Sequence, residues 1–268
     1  MKYVFTLVLL LGLQGCAIPN TLHIPYLHSE TQVSKKEQTC VICEDDTSEF
    51  DDEFGEEETN LYDPLEAYNE IMTSFNDTLF TYILNPISQK YAYVIPEFMR
   101  IGISNALHNL QFPIRFTNNV LQAKFHNASE ETVRFLVNST IGIGGLFDPA
   151  NTQLHLYPHK EDFGQTLGYY GVGSGFHVVL PVLGASNLRD IVGLTVDGYL
   201  SPLIYDKRLI KYKIPQNYTQ SFGIYGWDAI NKNSLHLGAY ENLKKDAIEL
   251  YPFLRDIYEQ KRTSDIEE

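Results

Sequence analysis

Apolar residues recur every three or four positions in the first part of the chain that reads as folded. They are Leu65, Tyr68, Met72, Phe75, Leu79 and Tyr82. This spacing predicts an amphipathic helix that runs to about Leu84. The preceding Asp63-Pro64-Leu65-Glu66 carries the signals of a helix start, with Asp63 as N-cap and a proline at the first helical position. Asn85-Pro86 predicts that this helix ends and that another short one begins.

Prolines and small polar residues divide the rest of the chain into further predicted helices. Pro96 precedes one with Phe98, Ile101, Leu107 and Leu110 on its apolar face. Serines are expected to cap two others, at Ser129 and Ser186. The remaining predicted helices are Ile114–Phe125, Ala229–Lys245 and Pro252–Arg262, with a loop at Ser201–Gln216. Because no sustained alternation of apolar and polar residues occurs, the sequence predicts an all-α fold.

The stretch from Arg134 to Asp190 differs from these helices because it is both apolar and rich in glycine. It contains two apolar runs, Phe135–Phe147 and Phe176–Ala185, each broken by glycine or proline. Neither reaches the roughly 18 apolar residues that a membrane-spanning helix needs. The residues by themselves show that the segment is short, apolar and interrupted, and its glycines let helices approach closely or turn sharply.

The first 15 residues have the pattern of a secretory signal, with Lys2 followed by an apolar run. Leu13-Gln14-Gly15-Cys16 resembles the lipobox of bacterial lipoproteins. Residues 1–15 are therefore predicted to be removed, and Cys16 to become an acylated N-terminus that carries palmitate or similar chains. Ala17, in place of Asp, resembles the signal for export to the outer membrane. The alternative is an ordinary signal peptide with a chance cysteine.

Charge divides the remainder of the chain. The net charge is −14, and ten acidic residues lie within Glu44–Glu58. Such a run is typical of a solvated tether. Residues 16–60 are thus interpreted as a lipidated N-terminus and acidic linker, residues 61–262 as a helical domain, and residues 263–268 as a tail. A chain this acidic is not expected to bind nucleic acid.

Cys40 and Cys43 form a Cys-Val-Ile-Cys motif within this linker. Because the signal sequence indicates an oxidising compartment, a local disulfide is the favoured interpretation. A thioredoxin-like redox pair and a metal site remain alternatives. The first lacks a strand–helix context, and the second lacks further cysteine or histidine ligands nearby.

Catalytic motifs are missing where they would be expected. Gly171-Val172-Gly173-Ser174-Gly175 is not the Gly-x-Ser-x-Gly of a lipid hydrolase, a P-loop or a dinucleotide-binding fingerprint. Pro158 separates His155 from His159 and makes a shared metal face on one helix improbable. Asp162 and Asp190 are better explained as helix caps or partners of Arg189 than as an acid–base pair. The sequence predicts no enzyme, metal or cofactor.

Ordered motifs across nearly the whole predicted helical domain resemble one family, the MlaA (VacJ) lipoproteins. They include Asp63–Asn69, Phe75–Asp77, Arg134–Thr140 and Gly142–Asp148, and the strongest are Asp162–Gly168, Gly171–Gly175 and Leu188–Asp190. Phe176-His177 departs from the family's usual proline followed by an aromatic residue. The resemblance implies a ring-like arrangement of amphipathic helices in the periplasmic side of the outer membrane, with a central amphipathic channel.

The same resemblance implies a function in retrograde phospholipid transport. Such a protein would remove misplaced phospholipids from the outer leaflet, pass them to a soluble periplasmic lipid-carrier protein and associate with a trimeric porin. The alternative is a structural lipoprotein that scaffolds porins without moving lipid. The candidate lipid path consists of Ile141, Gly142, Ile143, Gly144, Leu146, Phe147, Gly173, Gly175, Val178 and Leu180.

Overall fold

The structure is a computed structural model that describes residues 63–245 and 247–268, without the side chain of Ile210. Helices dominate it, as predicted. They are α1 (Glu66–Leu79), a π-helical turn (Phe80–Leu84), α2 (Asn85–Val94), α3 (Glu97–Leu110), α4 (Phe112–Leu121), α5 (Phe125–Thr140), α6 (Pro149–Thr152), α7 (Phe163–Tyr169), α8 (Leu188–Leu200), a 3-10 turn (Ile210–Tyr212), α9 (Tyr218–Leu235), α10 (Ala239–Lys245) and α11 (Leu250–Glu267). In this part of the chain, no helix combines the length and hydropathy needed to cross a membrane.

A β-hairpin interrupts the helices and was not predicted. Strands β1 (His177–Leu180) and β2 (Gly184–Asn187) pair antiparallel, with His177 opposite Asn187 and Leu180 opposite Gly184. Four residues per strand are too few for an alternating pattern to stand out in the sequence. The turn between them uses left-handed backbone at Val182 and Gly184.

A second helix begins at Asn85 as predicted, but the predicted break before it is wrong, because helical backbone runs from α1 through the π-helical turn into α2. The Asn85 amide donates to the carbonyl of Phe80, five residues earlier. Pro86 then lies in the first turn of α2, where its missing N–H is tolerated. At the other end of α1, Asp63 is not the N-cap residue. Its carboxylate accepts the Leu65 amide at 3.0 Å, just before the helix begins.

Both predicted serine caps are also wrong. Ser129 lies inside α5, where its hydroxyl donates to the His126 carbonyl. Ser186 belongs to β2, and the next residue, Asn187, caps α8 by accepting the Asp190 amide at 2.9 Å. An asparagine is as good an N-cap as a serine, and Asn187 stands directly before the helix.

The C-terminal helices differ from the prediction in their ends. The predicted single helix Ala229–Lys245 is two helices, α9 and α10, separated at Gly238, which has a φ of +85°. Left-handed glycine is the usual way to end a helix. Helix α11 continues to Glu267, beyond the predicted end at Arg262 and through the residues expected to form a tail.

The contacts between the described helices form a closed circuit. Helix α1 leads through the π-helical turn to α2, α2 packs on α9, α9 on α3, and α3 on α4 and α5. From there α4 contacts α7, α7 contacts α11, and α11 returns to α1. Helix α8 packs against α7 and α4. This circuit agrees with the predicted ring-like arrangement of helices.

Candidate functional site

Polar side chains, not apolar ones, fill most of the interior of the part of the chain that the structure describes. Among the described residues, 29 polar or charged residues are buried but only 11 apolar ones are. At the same time, 38 large apolar side chains are exposed. Soluble domains bury their aliphatic residues and seldom expose large apolar patches. The distribution is therefore that of a protein whose outer surface contacts an apolar phase or another protein.

Helix α1 shows how the periodicity produces this arrangement. Its exposed face carries Tyr68, Ile71 and Phe75, whereas Asn69 and Thr73 are buried. The apolar period predicted an amphipathic helix correctly. Periodicity alone does not say which positions point inward, and the buried positions of α1 are the polar Asn69 and Thr73.

Two asparagines of α1 fasten the β-hairpin to that helix. Asn69 donates to the His177 carbonyl at 3.1 Å and accepts the Val179 amide at 2.8 Å. Seven residues further along α1, Asn76 bonds in the same way to the Leu180 carbonyl at 2.9 Å and the Val182 amide at 2.7 Å. Because a carboxamide both donates and accepts, each asparagine satisfies two backbone groups at once.

The predicted lipid-path residues between Ile141 and Phe147 form one compact feature, which we call the apolar loop. Its tight turns depend on left-handed backbone at Ile143, Gly144 and Gly145. A Cβ at Gly142 would lie 2.5 Å from the carbonyl oxygens of Asn138 and Phe147, so glycine alone fits there.

The side chains of the apolar loop point away from the protein. Ile141 is 66% exposed, Ile143 64% and Phe147 60%, and Leu146 is exposed as well. Four large apolar side chains on seven consecutive residues make a concentrated apolar surface. Such surfaces mark contacts with lipid or with another protein.

Immediately beneath the apolar loop lies a chain of buried charges. Arg134 binds Asp148 at 3.0 Å, and Asn138 binds the same carboxylate at 2.8 Å. Glu131 lies 3.8 Å from Arg134 and 2.7 Å from Arg115, which extends the chain to α4. An apolar tip therefore stands on a charged, hydrogen-bonded base, which is an amphipathic arrangement.

Gly173 and Gly175 lie elsewhere, at a small groove of about 270 Å³. The groove is lined by Leu167, Val172, Gly173, Ser174, Gly175, Leu188, Arg189 and Val192. Its walls are mainly carbon, with the Arg189 guanidinium as the one cationic group in the lining. The structure therefore separates these two glycines from the apolar loop.

Val178 and Leu180, the last two residues of the predicted path, are buried. Val178 is 9% exposed and Leu180 8%, and both pack with Leu183 in an apolar cluster against α1 and α8. This position is that of ordinary core residues. The ten predicted residues thus fall into three places, of which the apolar loop alone presents large apolar side chains outward.

Sequence reasoning missed Arg262, the residue that binds both Asp162 and Asp190. Asp162 caps α7 through the Gln165 amide, and Asp190 lies 3.1 Å from Arg189, as predicted. The guanidinium of Arg262, from α11, binds both carboxylates. Burial tends to raise the pKa of Asp190, but the hydrogen bonds and charge of Arg262 outweigh it and lower that pKa. Nothing in the local sequence links residues this far apart.

A second buried carboxylate, Asp197 on α8, has no such cation. It accepts the Asn118 side chain and the Phe163 amide, each at 3.0 Å. Burial raises its pKa to about 7, although both hydrogen bonds oppose the shift.

Of the two histidines weighed above as a metal-binding pair, His155 and His159, the second lies 2.7 Å from Glu130. In residues 63–245 and 247–268, no group of His, Cys, Asp and Glu could hold a metal ion.

The structure is thus a mostly helical domain with a polar interior and many exposed apolar side chains, and comparisons with known proteins specify the family. The sequence model of the MlaA lipoprotein family matches residues 61–265. This chain belongs to the MlaA lipoprotein family.

Individual relatives agree with this assignment. The intermembrane phospholipid transport system lipoprotein MlaA of Escherichia coli (strain K12) is 37% identical over 150 residues, 54% of this chain and 59% of that protein. An uncharacterized protein of Rickettsia felis is 35% identical over 146 residues, 54% of this chain and 58% of its own length. The chain thus matches somewhat more than half the length of these curated relatives.

A solved structure is also similar. It comes from work on the structural basis for maintenance of bacterial outer membrane lipid asymmetry and superposes with a TM-score of 0.65 at 30% identity. The match covers 76% of this chain and 99% of that one. Cys16, Cys40 and Cys43 lie outside the described residues, so the lipidation and disulfide predictions stay predictions.

Proposed function

We propose that this chain is an outer-membrane lipoprotein that removes misplaced phospholipids from the outer leaflet and passes them to a soluble periplasmic carrier. The observation that carries the proposal is the apolar loop on its charged base. A phospholipid needs an apolar wall for its acyl chains and a wet, polar region for its headgroup. The apolar loop would supply the apolar wall, and the hydrogen-bonded charges beneath it would support the polar side of the path.

Membership in a family of lipoproteins supports the rest of the proposal. The curated relative from Escherichia coli is named for intermembrane phospholipid transport. For this chain, we infer an anchor at Cys16, a location on the periplasmic side of the outer membrane and a trimeric porin as partner. The transfer involves no covalent step, so we infer that the chain is not an enzyme and uses no cofactor.

The surface geometry also suggests how the chain sits in a membrane. Exposed apolar residues lie on several helices, among them Tyr82 in the π-helical turn, Tyr93 on α2 and Phe98 on α3. We infer that these faces contact acyl chains and that the buried polar side chains line or support the lipid path. The path then runs past the apolar loop, and Val178 and Leu180 hold the hairpin in place.

Reconstituted transfer tests the function. The full chain, placed in vesicles with fluorescent phospholipid, is mixed with the periplasmic carrier, and lipid appearing on the carrier is measured. Ile143→Asp places a charge on the apolar loop and is expected to slow transfer at least tenfold, because a charge in an apolar phase costs several kcal/mol. Ile248→Asp is the matched control, since Ile248 is fully exposed outside the apolar loop.

A thermal unfolding measurement on each variant separates a transport defect from misfolding. If the parent protein moves no lipid but still binds a porin, the chain is a scaffold and the proposal fails. Deletion of the gene provides the cellular counterpart. A deletion strain whose outer-leaflet phospholipid does not rise, with neighbouring genes expressed normally, would contradict the proposal.

A further inference from the structure

A basic segment stands out in this acidic chain. Four of the 20 lysines and arginines lie within seven positions, at Lys207, Arg208, Lys211 and Lys213. We call residues 206–214 the basic loop. Lys207, Arg208 and Lys211 are exposed and form none of the ion pairs found among residues 63–245 and 247–268.

Lys213 differs from the three exposed cations because its side chain attaches the basic loop to α8. Its ammonium donates to the carbonyls of Gly198 at 3.2 Å, Tyr199 at 2.7 Å and Ser201 at 2.7 Å, at the C-terminal end of the helix. Burial lowers the pKa of Lys213. The Ile214 amide adds a bond of 2.9 Å to the Pro202 carbonyl. The end of the basic loop is therefore held firmly.

The acidic residue of the basic loop supports its backbone. Asp206 accepts the Arg208 amide at 2.7 Å, in a turn that precedes the 3-10 helix. At the end of the 3-10 helix the Tyr212 amide donates to the Leu209 carbonyl at 2.8 Å. The three exposed cations thus project from a short, hydrogen-bonded backbone, which limits the conformational entropy lost when they bind a ligand.

Exposed apolar side chains accompany these cations. Tyr212 is 78% exposed, and Ile214 is exposed two residues later. Tyr218 and Phe222 are exposed one turn apart on α9, and the Tyr218 ring packs edge-on against Tyr205 at 4.8 Å. Cations interleaved with exposed aromatic and aliphatic residues are characteristic of protein surfaces at the membrane–water interface.

We propose that the basic loop binds the anionic headgroups of a membrane surface, with Tyr212 and Ile214 inserted at headgroup level. An acidic protein partner would match the three cations, but a lipid surface matches both the cations and the apolar residues beside them. Each basic residue near an anionic membrane strengthens binding by about fivefold, so three give on the order of a hundredfold. The proposal concerns docking on the membrane and goes beyond the transfer of lipid.

Tryptophan quenching measures which lipids surround the basic loop. The chain has one tryptophan, Trp227. The full chain with Trp227→Phe and Tyr212→Trp is reconstituted in phosphatidylcholine vesicles that contain a small fraction of either brominated phosphatidylglycerol or brominated phosphatidylcholine. The brominated anionic lipid is expected to quench at least about fivefold more strongly, the preference conferred by a single basic residue. Raising the salt concentration is expected to abolish that preference.

The triple substitution Lys207→Gln, Arg208→Gln and Lys211→Gln is made in the protein that carries Trp227→Phe and Tyr212→Trp. It is expected to abolish the preference for the brominated anionic lipid as well. The control triple, Lys90→Gln, Lys244→Gln and Lys245→Gln, removes the same charge elsewhere and is expected to keep the preference. Equal quenching by the two brominated lipids in the parent, as an acidic protein partner would give, overturns the proposal. So does a preference that survives high salt or the basic-loop triple substitution. Lipid transfer, measured in parallel, reports independently on the proposed function.

Discussion

Arg262 donates two hydrogen bonds to Asp190, from Nε to Oδ2 at 2.8 Å and from Nη2 to Oδ1 at 2.9 Å. The same guanidinium donates two hydrogen bonds to Asp162, at 2.8 and 3.0 Å. One residue near the end of the chain thereby joins α11 to the starts of α7 and α8. The contact closes the circuit of helices at a point where both carboxylates would otherwise lack a full set of partners.

Loss of this cation should destabilise the fold strongly. Removing one partner of a buried ion pair typically costs about 3–5 kcal/mol, because the other charge is left uncompensated. Arg262→Met is expected to lower the free energy of unfolding by that amount, measured by denaturant titration in detergent. Lys261→Met is the control, because its pair with Asp265 is partly exposed, and it should cost under about 1 kcal/mol. Equal effects of the two substitutions would contradict this role of Arg262.

The α1 asparagines should control the hairpin locally. In Asn76→Ala, the Val182 amide and the Leu180 carbonyl lose their partner, and each unpaired group costs about 1–3 kcal/mol. Hydrogen exchange at Val182 should accelerate about tenfold to a hundredfold, while Val179, held by Asn69, exchanges at its original rate. Asn69→Ala should reverse the two effects. Acceleration at both amides in both variants would show that the hairpin opens as one unit.

Gly142 should tolerate no side chain. Gly142→Ala is expected to destabilise the protein by about 1–3 kcal/mol, since the new Cβ would press on two carbonyl oxygens. Gly223→Ala is a control that is expected to change the stability of the protein in the opposite direction. A Cβ there meets no atom within 4 Å, and replacing an exposed helical glycine stabilises by about 0.5–1 kcal/mol. Thermal unfolding of both variants measures the difference, and a neutral Gly142→Ala would contradict the geometry of the apolar loop.

Asp197 should make stability depend on pH. Its pKa is about 7 in the folded chain against 3.8 for an ordinary aspartate. The native state therefore holds a proton that the unfolded state has released, and this contribution to the free energy of unfolding falls as pH rises from about 4 to about 7.

Comparison with Asp197→Asn isolates that contribution from those of other groups. The difference between the two unfolding curves should change across this pH range, with parent stability falling relative to the variant. The lost hydrogen bond in the variant adds a constant offset. A flat difference for Asp197→Asn would contradict the assignment.

The sequence predicted the elements that depend on local signals. The apolar period of α1 and Pro96 before α3 are such signals, and both are present in the structure. The π-helical turn before Pro86 escaped prediction because a change of hydrogen-bond register has no signature in side-chain polarity. The hairpin escaped because asparagines from a distant helix hold it. Long-range contacts of this kind decide structure without leaving a local pattern.

The candidate site was only partly predictable for the same reason. The run from Ile141 to Phe147 was apolar and glycine-rich, and it became an exposed loop. Val178 and Leu180 lie in a run of equal hydropathy but are buried, because α1 and α8 cover that strand. Burial depends on packing partners, which hydropathy does not specify. Arg262 lacked any local signal.

The most direct test of the account is a map of lipid contacts. The full chain is reconstituted in vesicles with a phospholipid that carries a photoactive group on its acyl chain, and the crosslinked residues are identified by mass spectrometry. The account predicts adducts in the apolar loop, at Ile141, Ile143 and Phe147, and none at the buried Val178 and Leu180. Adducts at these buried residues with none in the apolar loop would contradict it.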